Sequence, residues 1–146
     1  MAESLRELKE LFDLKDADLR TYSPLTLAYI GDGVYELVIR TILVKKGKLQ
    51  RTIKVIFMKE MEFTPAWVTT QLNGNEYGEG VTLTEEEKSV YRRGRNAHSA
   101  TMAKHATMAD YRRATGFEAL MGYLYLKEDF SRILELVHAG LEKEEI

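Results

Sequence analysis

Outside residues 50–80 the sequence predicts an all-α fold, a helical bundle, and three observations carry that prediction. Apolar residues recur at three- and four-residue steps through a long segment after Pro24, helix-start signatures punctuate the chain, and the stretch "FEALMGYLYL" is almost wholly apolar, as in a helix buried on every side. At 146 residues the chain fits one domain, 1–146, that buries a sizeable core.

Taken in order, Ser4 with Glu7 has the Ser-x-x-Glu form in which hydroxyl and carboxylate satisfy amides at a helix start. Ser23 followed by Pro24 reads as an N-cap with proline at the first helical position, where its missing N–H costs nothing. From there Leu27, Ile30, Val34, Leu37, Val38 and Ile42 define a core side, and Lys45-Lys46-Gly47 supplies cations and a stop, so the helix should run over 24–46. Thr84 with Glu87 repeats the capping box and opens a helix over 85–93; further helices are expected over 111–126 and 130–142. Residues 50–80 differ in kind. They hold the only Trp, look strand-like at "TIKVIF" and "WVTTQL", and carry an Asn73-Gly74 turn signal.

Composition excludes several classes of function. With no cysteine there is no disulfide, thiolate metal site or Cys nucleophile, and nothing calls for an oxidising compartment; a cytoplasmic location is expected. The N-terminus lacks a signal-peptide core and no segment is apolar enough to span a bilayer, so no membrane association is expected. The net charge of −2 hides an asymmetry: residues 88–113 carry seven Lys/Arg against Asp110 alone, a +6 window on a −8 remainder. A basic stretch on an acidic body is the footprint of a phosphate-rich ligand, although a solvated charged face is the plainer account of charge clustering alone.

Two acids stand out because they sit where acids gain nothing. Asp32 lies between Gly31 and Gly33 in the apolar "LAYIGDGVYELVIR", and the missing side chains beside it permit close approach of a helix, a ligand or a hydrated cation. Glu36, four residues on, shares its face and either supports a cation through water or pairs with Arg40 in a helix ion pair. Glu118 sits in "TGFEALMGYLYL", with Gly122 one turn on leaving open space; a carboxylate among apolar residues needs a cation, a donor or water. Thr115 and Glu118 also form a capping-box pattern, so Glu118 has a purely structural alternative. Hard oxygen ligands of this kind suit Mg²⁺, which keeps several waters and needs only one or two carboxylates. Facing each other across a helix pair, Asp32 and Glu118 would hold a divalent ion able to activate water and stabilise a leaving oxygen.

The basic stretch "YRRGRNAHSATMAKHATMADYRRATG" sets Arg92, Arg93, Arg95 and Asn96 around Gly94, with Ser99, Thr101, Lys104 and Arg112 as further donors for phosphate oxygens. His98 and His105 match no compact metal motif and are assigned no chemistry. Tyr29 and Tyr125 read as buried aromatics beside the acids.

In combination and order, "LAYIGDGVYELVIR", "LTEEEKSVYRRGRNAHSAT" and "YRRATGFEALMGYLYL" resemble Mini-III ribonuclease, the branch of the ribonuclease III family that consists of the catalytic domain without a double-stranded-RNA-binding domain. The resemblance implies an all-α homodimer, catalytic metal-binding carboxylates at Asp32 and Glu118, Mg²⁺-dependent cleavage of double-stranded RNA, and a part in maturing the ends of large-subunit precursor ribosomal RNA. A two-fold dimer presents one equivalent site to each strand of a duplex, and A-form RNA is read by shape, phosphates and 2′-hydroxyls.

The sequence departs from the wider family at two ligand positions. The turn before Gly31 reads Leu25, Thr26, Leu27, Ala28 with no glutamate, and Thr115 stands where an acid three before Glu118 would be; water must fill those places. Over 50–80 the family's helix with its "YVSA"-like stretch has no counterpart, which points to a local replacement or a shifted reading frame; resequencing the coding DNA separates these. Two other readings stand beside the nuclease: a non-catalytic duplex-RNA-binding or ribosome-assembly module, and a structural helical protein whose acids are caps.

Overall fold

The computed structural model describes residues 2–46, 65, 82–97 and 108–141, and these form α1 (Ala2–Leu11), α2 (Pro24–Lys45), α3 (Glu85–Arg95), α4 (Met108–Leu126) and α5 (Phe130–Leu141), with a 3₁₀ turn at Leu19–Thr21. The fold is all-α. The strand-like stretches read within 50–80 lie outside the described residues.

Local chemistry sets the helix ends. Ser23 accepts from the Thr26 amide at 3.1 Å and Pro24 opens α2, as its sequence predicts. At α3 both halves of the capping box are present: the Glu87 amide donates to Thr84 Oγ1 at 3.1 Å and the Thr84 amide donates to Glu87 Oε1 at 2.8 Å. The box expected at Ser4 does not form, because α1 is already helical from Ala2 and Ser4 lies inside it. α1 and α4 each give way to a left-handed residue, Asp13 (φ 51°) and Glu128 (φ 65°), and the next amides turn back to close the helices, Leu14 onto the Lys9 carbonyl at 2.8 Å and Asp129 onto that of Leu124 at 2.9 Å.

α4 is the central helix. Phe117, Ala119, Leu120, Met121, Tyr123 and Leu124 are all buried, which accounts for the apolar run in its sequence. α2 packs antiparallel to it, Leu27 beside Gly122 and Gly31 beside Glu118. Tyr35 of α2 meets Phe117 edge-on, ring centres 5.4 Å apart. α3 packs on another side of α4, also antiparallel, with Gly94 against Thr115, Gly116 and Ala119 and Glu86 bonded to the Tyr123 hydroxyl near the far end. Ile133, Leu136, Val137 and Leu141 bring α5 into the same core.

The buried face of α2 is rotated from the expected one. Leu27, Ala28, Gly31, Val34, Tyr35, Val38, Ile39 and Leu43 are buried, whereas Leu37, expected on the core side, is 54 % exposed and Tyr29, expected to be buried, is 83 % exposed. α2 is apolar nearly all round, so periodicity alone does not select its packed face; the glycine that lets α4 approach does.

An ion pair not expected from sequence joins the C-terminal half to the start of α3. Arg132 Nε and Nη2 donate to the two Glu87 oxygens, each at 2.8 Å, and Nη2 also donates to the Thr82 carbonyl at 2.9 Å. Glu87 is only 4 % exposed. Burial pushes its carboxyl up, but the bonds from Arg132 and from the Thr84 amide outweigh that and hold it below the usual range.

Candidate active site

Two apolar helices deliver the two acids. Asp32 lies on the solvent side of α2 and Glu118 is partly buried on α4, and the two carboxyls are near enough to act on each other electrostatically. Thr115 does not cap Glu118: α4 begins at Met108, and the Thr115 hydroxyl donates to the Tyr111 carbonyl at 2.8 Å in mid-helix. The capping account of Glu118 is therefore excluded.

Missing side chains make the meeting possible. A Cβ on Gly31 would stand 1.6 Å from the Glu118 carbonyl oxygen, and one on Gly122 would stand 1.9 Å from that of Leu27. Gly122 thus does not leave open space as its sequence suggests; the backbone of α2 fills it. Gly33, in contrast, faces nothing within 4 Å among the described residues. The sequence marks each acid with a nearby glycine in an apolar helix, but that Gly31 and Gly122 seat the backbones of α4 and α2 is set by the facing helix, which neither pattern names.

Electrostatics make the pair chemically unusual. Burial first, then the facing Asp32 charge and its hydrogen bond, push the Glu118 carboxyl up to about 8. At neutral pH and with no cation bound, Glu118 therefore keeps its proton. Such an arrangement binds a proton or a cation in the same place. Among the described residues no group of three or more His, Asp or Glu side chains is placed to hold a metal ion, so this donor set is two carboxylates open to water on the Asp32 side. That set fits a hard, water-retaining divalent cation.

Glu36 is paired with Arg40 along α2, the helix ion pair weighed from its spacing. Of the basic stretch, Arg92, Arg93, Arg95 and Asn96 are exposed at the C-terminal end of α3, and Arg112 is exposed on α4. Since Gly94 packs on Thr115, Gly116 and Ala119 while Gly31 packs on Glu118, the basic end of α3 and the acid pair rest on the same part of α4. Ser99, Thr101 and Lys104, like His98 and His105, lie outside the described residues. Tyr125 is partly buried.

The ribonuclease III domain family matches residues 25–129, the span from the start of α2 to the turn after α4. The Mini-ribonuclease 3 of Clostridium tetani is 42 % identical over 122 residues, covering 82 % of this chain and 77 % of that protein. The Mini-ribonuclease 3 of Enterococcus faecalis is 41 % identical over 126 residues, covering 86 % and 93 %. An X-ray structure of a Fusobacterium nucleatum protein superimposes with a TM-score of 0.72 at 25 % identity, covering 88 % of this chain and 95 % of that one. With the helical frame, the glycine-spaced acid pair and these matches in agreement, the chain belongs to the ribonuclease III family, in its Mini-ribonuclease 3 branch.

Proposed function

We propose that the protein is a Mg²⁺-dependent endoribonuclease that cleaves double-stranded RNA, acting in the cytoplasm as a homodimer of one catalytic domain, residues 1–146, in the maturation of large-subunit ribosomal RNA. The observation that carries this reading is the packing of Gly31, next to Asp32, against Glu118, with the raised Glu118 carboxyl facing Asp32 on the part of α4 where the basic end of α3 also packs. Relatives named Mini-ribonuclease 3 support it.

In this reading Asp32 and Glu118 are the catalytic residues and hold the ion. Mg²⁺ supplies charge stabilisation at the scissile phosphate and a lowered pKa for attacking water. Arg92, Arg93, Arg95, Asn96 and Arg112 bind the phosphates that position the duplex, and Ser99, Thr101 and Lys104 add donors. The guanidinium forks match phosphate oxygens without reading sequence, so duplex form sets selection. Glu118 gives up its proton when the cation is taken up, because the same oxygens serve both.

The homodimer finds support on the outer face of α2. Leu25, Tyr29 and Leu37 are exposed at four-residue spacing on either side of Gly33, whose open surroundings leave room for a second helix. Tyr29→Asp is expected to weaken self-association at least about tenfold, read by sedimentation, because it puts a charge in the middle of that row.

Cleavage itself is tested with purified protein, duplex RNA and Mg²⁺. Products are expected that disappear with EDTA and with Asp32→Asn; an Asn variant that cuts equally well assigns the activity elsewhere. Salt-sensitive duplex binding with no Mg²⁺-dependent product favours the non-catalytic binding module instead.

A further inference from the structure

At Gly31 and Gly122 the backbones of α2 and α4 lie close together, and each helix's backbone occupies the space where the facing glycine's side chain would be. The close contact is made at the acids: Gly31 precedes Asp32 and touches the Glu118 carbonyl, while Gly122 follows Glu118 by one turn and touches the Leu27 carbonyl. We infer that Gly31 and Gly122 are positioning residues, a reciprocal notch that fixes the separation of the two carboxylates at the distance a single Mg²⁺ accepts. The inference rests on the reading of Asp32 and Glu118 as ligands and assigns the two glycines the role of setting their spacing.

The distances give the notch its force. Ordinary contact begins at 3.4 Å, so the 1.9 Å that a Cβ on Gly122 would have to the Leu27 oxygen requires the helices to part by about 1.5 Å. The opposing atom is backbone carbonyl in both cases, and no side chain can rotate away to absorb the change. Mg²⁺ demands near-ideal geometry with oxygens at about 2.0–2.1 Å, so an opening of this size exceeds what the shell tolerates. Gly94 provides a matched comparison: a Cβ there would meet Ala119 Cβ at 2.7 Å and Gly116 Cα at 2.9 Å, which pushes α3, and not α2, away from α4.

The test is a titration of full-length protein with MgCl₂, followed by calorimetry and by the Mg²⁺-induced rise in melting temperature. Gly122→Ala is expected to weaken Mg²⁺ binding at least about tenfold, whereas Gly94→Ala, although it also lowers the melting temperature, leaves binding within about threefold of wild type. Asp32→Glu lengthens one ligand by a carbon–carbon bond, about 1.5 Å. It is expected to weaken binding in the wild-type frame and to restore it in the Gly122→Ala frame. Gly122→Ala that binds Mg²⁺ like wild type, or loss without rescue by Asp32→Glu, overturns the inference and leaves the nuclease reading standing. Should Gly122→Ala not fold, Asp32→Glu alone decides: a fixed separation rejects the longer ligand, and Mg²⁺ binding within about threefold of wild type overturns the notch. A wild-type protein that binds no Mg²⁺ but is folded overturns the metal reading itself.

Discussion

Glu118→Gln is expected to give a folded protein that cleaves duplex RNA about 10³-fold more slowly than wild type and yet, free of metal at about pH 8.5, is more stable by about 2–4 kcal/mol. The stability gain follows from proton linkage. The Glu118 carboxyl sits at about 8 in the folded chain against an ordinary value of 4.5. Between those values the folded state keeps a proton that the unfolded state has released, so wild-type stability falls as pH rises through that window. Glutamine does not ionise and shows no such slope, so wild type and variant have similar pH dependence below the window, diverge within it and keep a constant difference above it. Denaturant titrations at several pH values with EDTA present measure the divergence; parallel curves for the two proteins would refute it.

On the proposed function, magnesium is expected to reverse the comparison for wild type alone. A cation favours the ionised form, so wild-type stability at high pH is expected to recover with MgCl₂ while that of Glu118→Gln does not, and Mg²⁺ affinity is expected to rise with pH until Glu118 is fully ionised. Asp32→Asn is expected to reach the same loss of cleavage by removing the other proposed ligand. It also removes the like charge that helps hold Glu118 up, so its remaining pH slope is the part due to burial.

The sequence made the acids legible but not the surface that brings them together. Asp32 and Glu118 were conspicuous because a carboxylate in an apolar helix demands an explanation, and the ends of α2 could be placed because Ser23-Pro24 and Lys45 act locally. The packed face of α2 was misplaced at Leu37 and Tyr29 because a helix apolar on all sides has no preferred direction in its own pattern. A row centred on Gly31, running Leu27, Gly31, Val34, Tyr35 and Val38, is the face that packs, and its reason lies in α4. Glu87 was legible as a cap for Thr84, three residues away. Its second partner, Arg132, lies 45 residues on, where no local spacing rule reaches.

That long-range pair carries the other large expected effect. Arg132→Met is expected to destabilise the fold by about 3–5 kcal/mol, because it leaves the Glu87 carboxylate buried with only the Thr84 amide to answer it. The loss should shrink in acid. In wild type the depressed Glu87 carboxyl contributes stability above its ordinary value of 4.5, and that contribution is lost as pH falls through its lower folded value. Without Arg132 the burial that opposes ionisation is answered by Thr84 alone, so the Glu87 carboxyl rises from its wild-type position and protonation relieves the variant as pH falls. Adding Glu87→Gln to Arg132→Met is expected to recover most of the loss at neutral pH, since glutamine removes the buried charge and still accepts from the Thr84 amide in the capping box. Thermal denaturation of the two single variants and the double variant measures the coupling directly: single-variant losses that merely add would mean that the two side chains act independently, and the bidentate contact would then contribute no stability of its own.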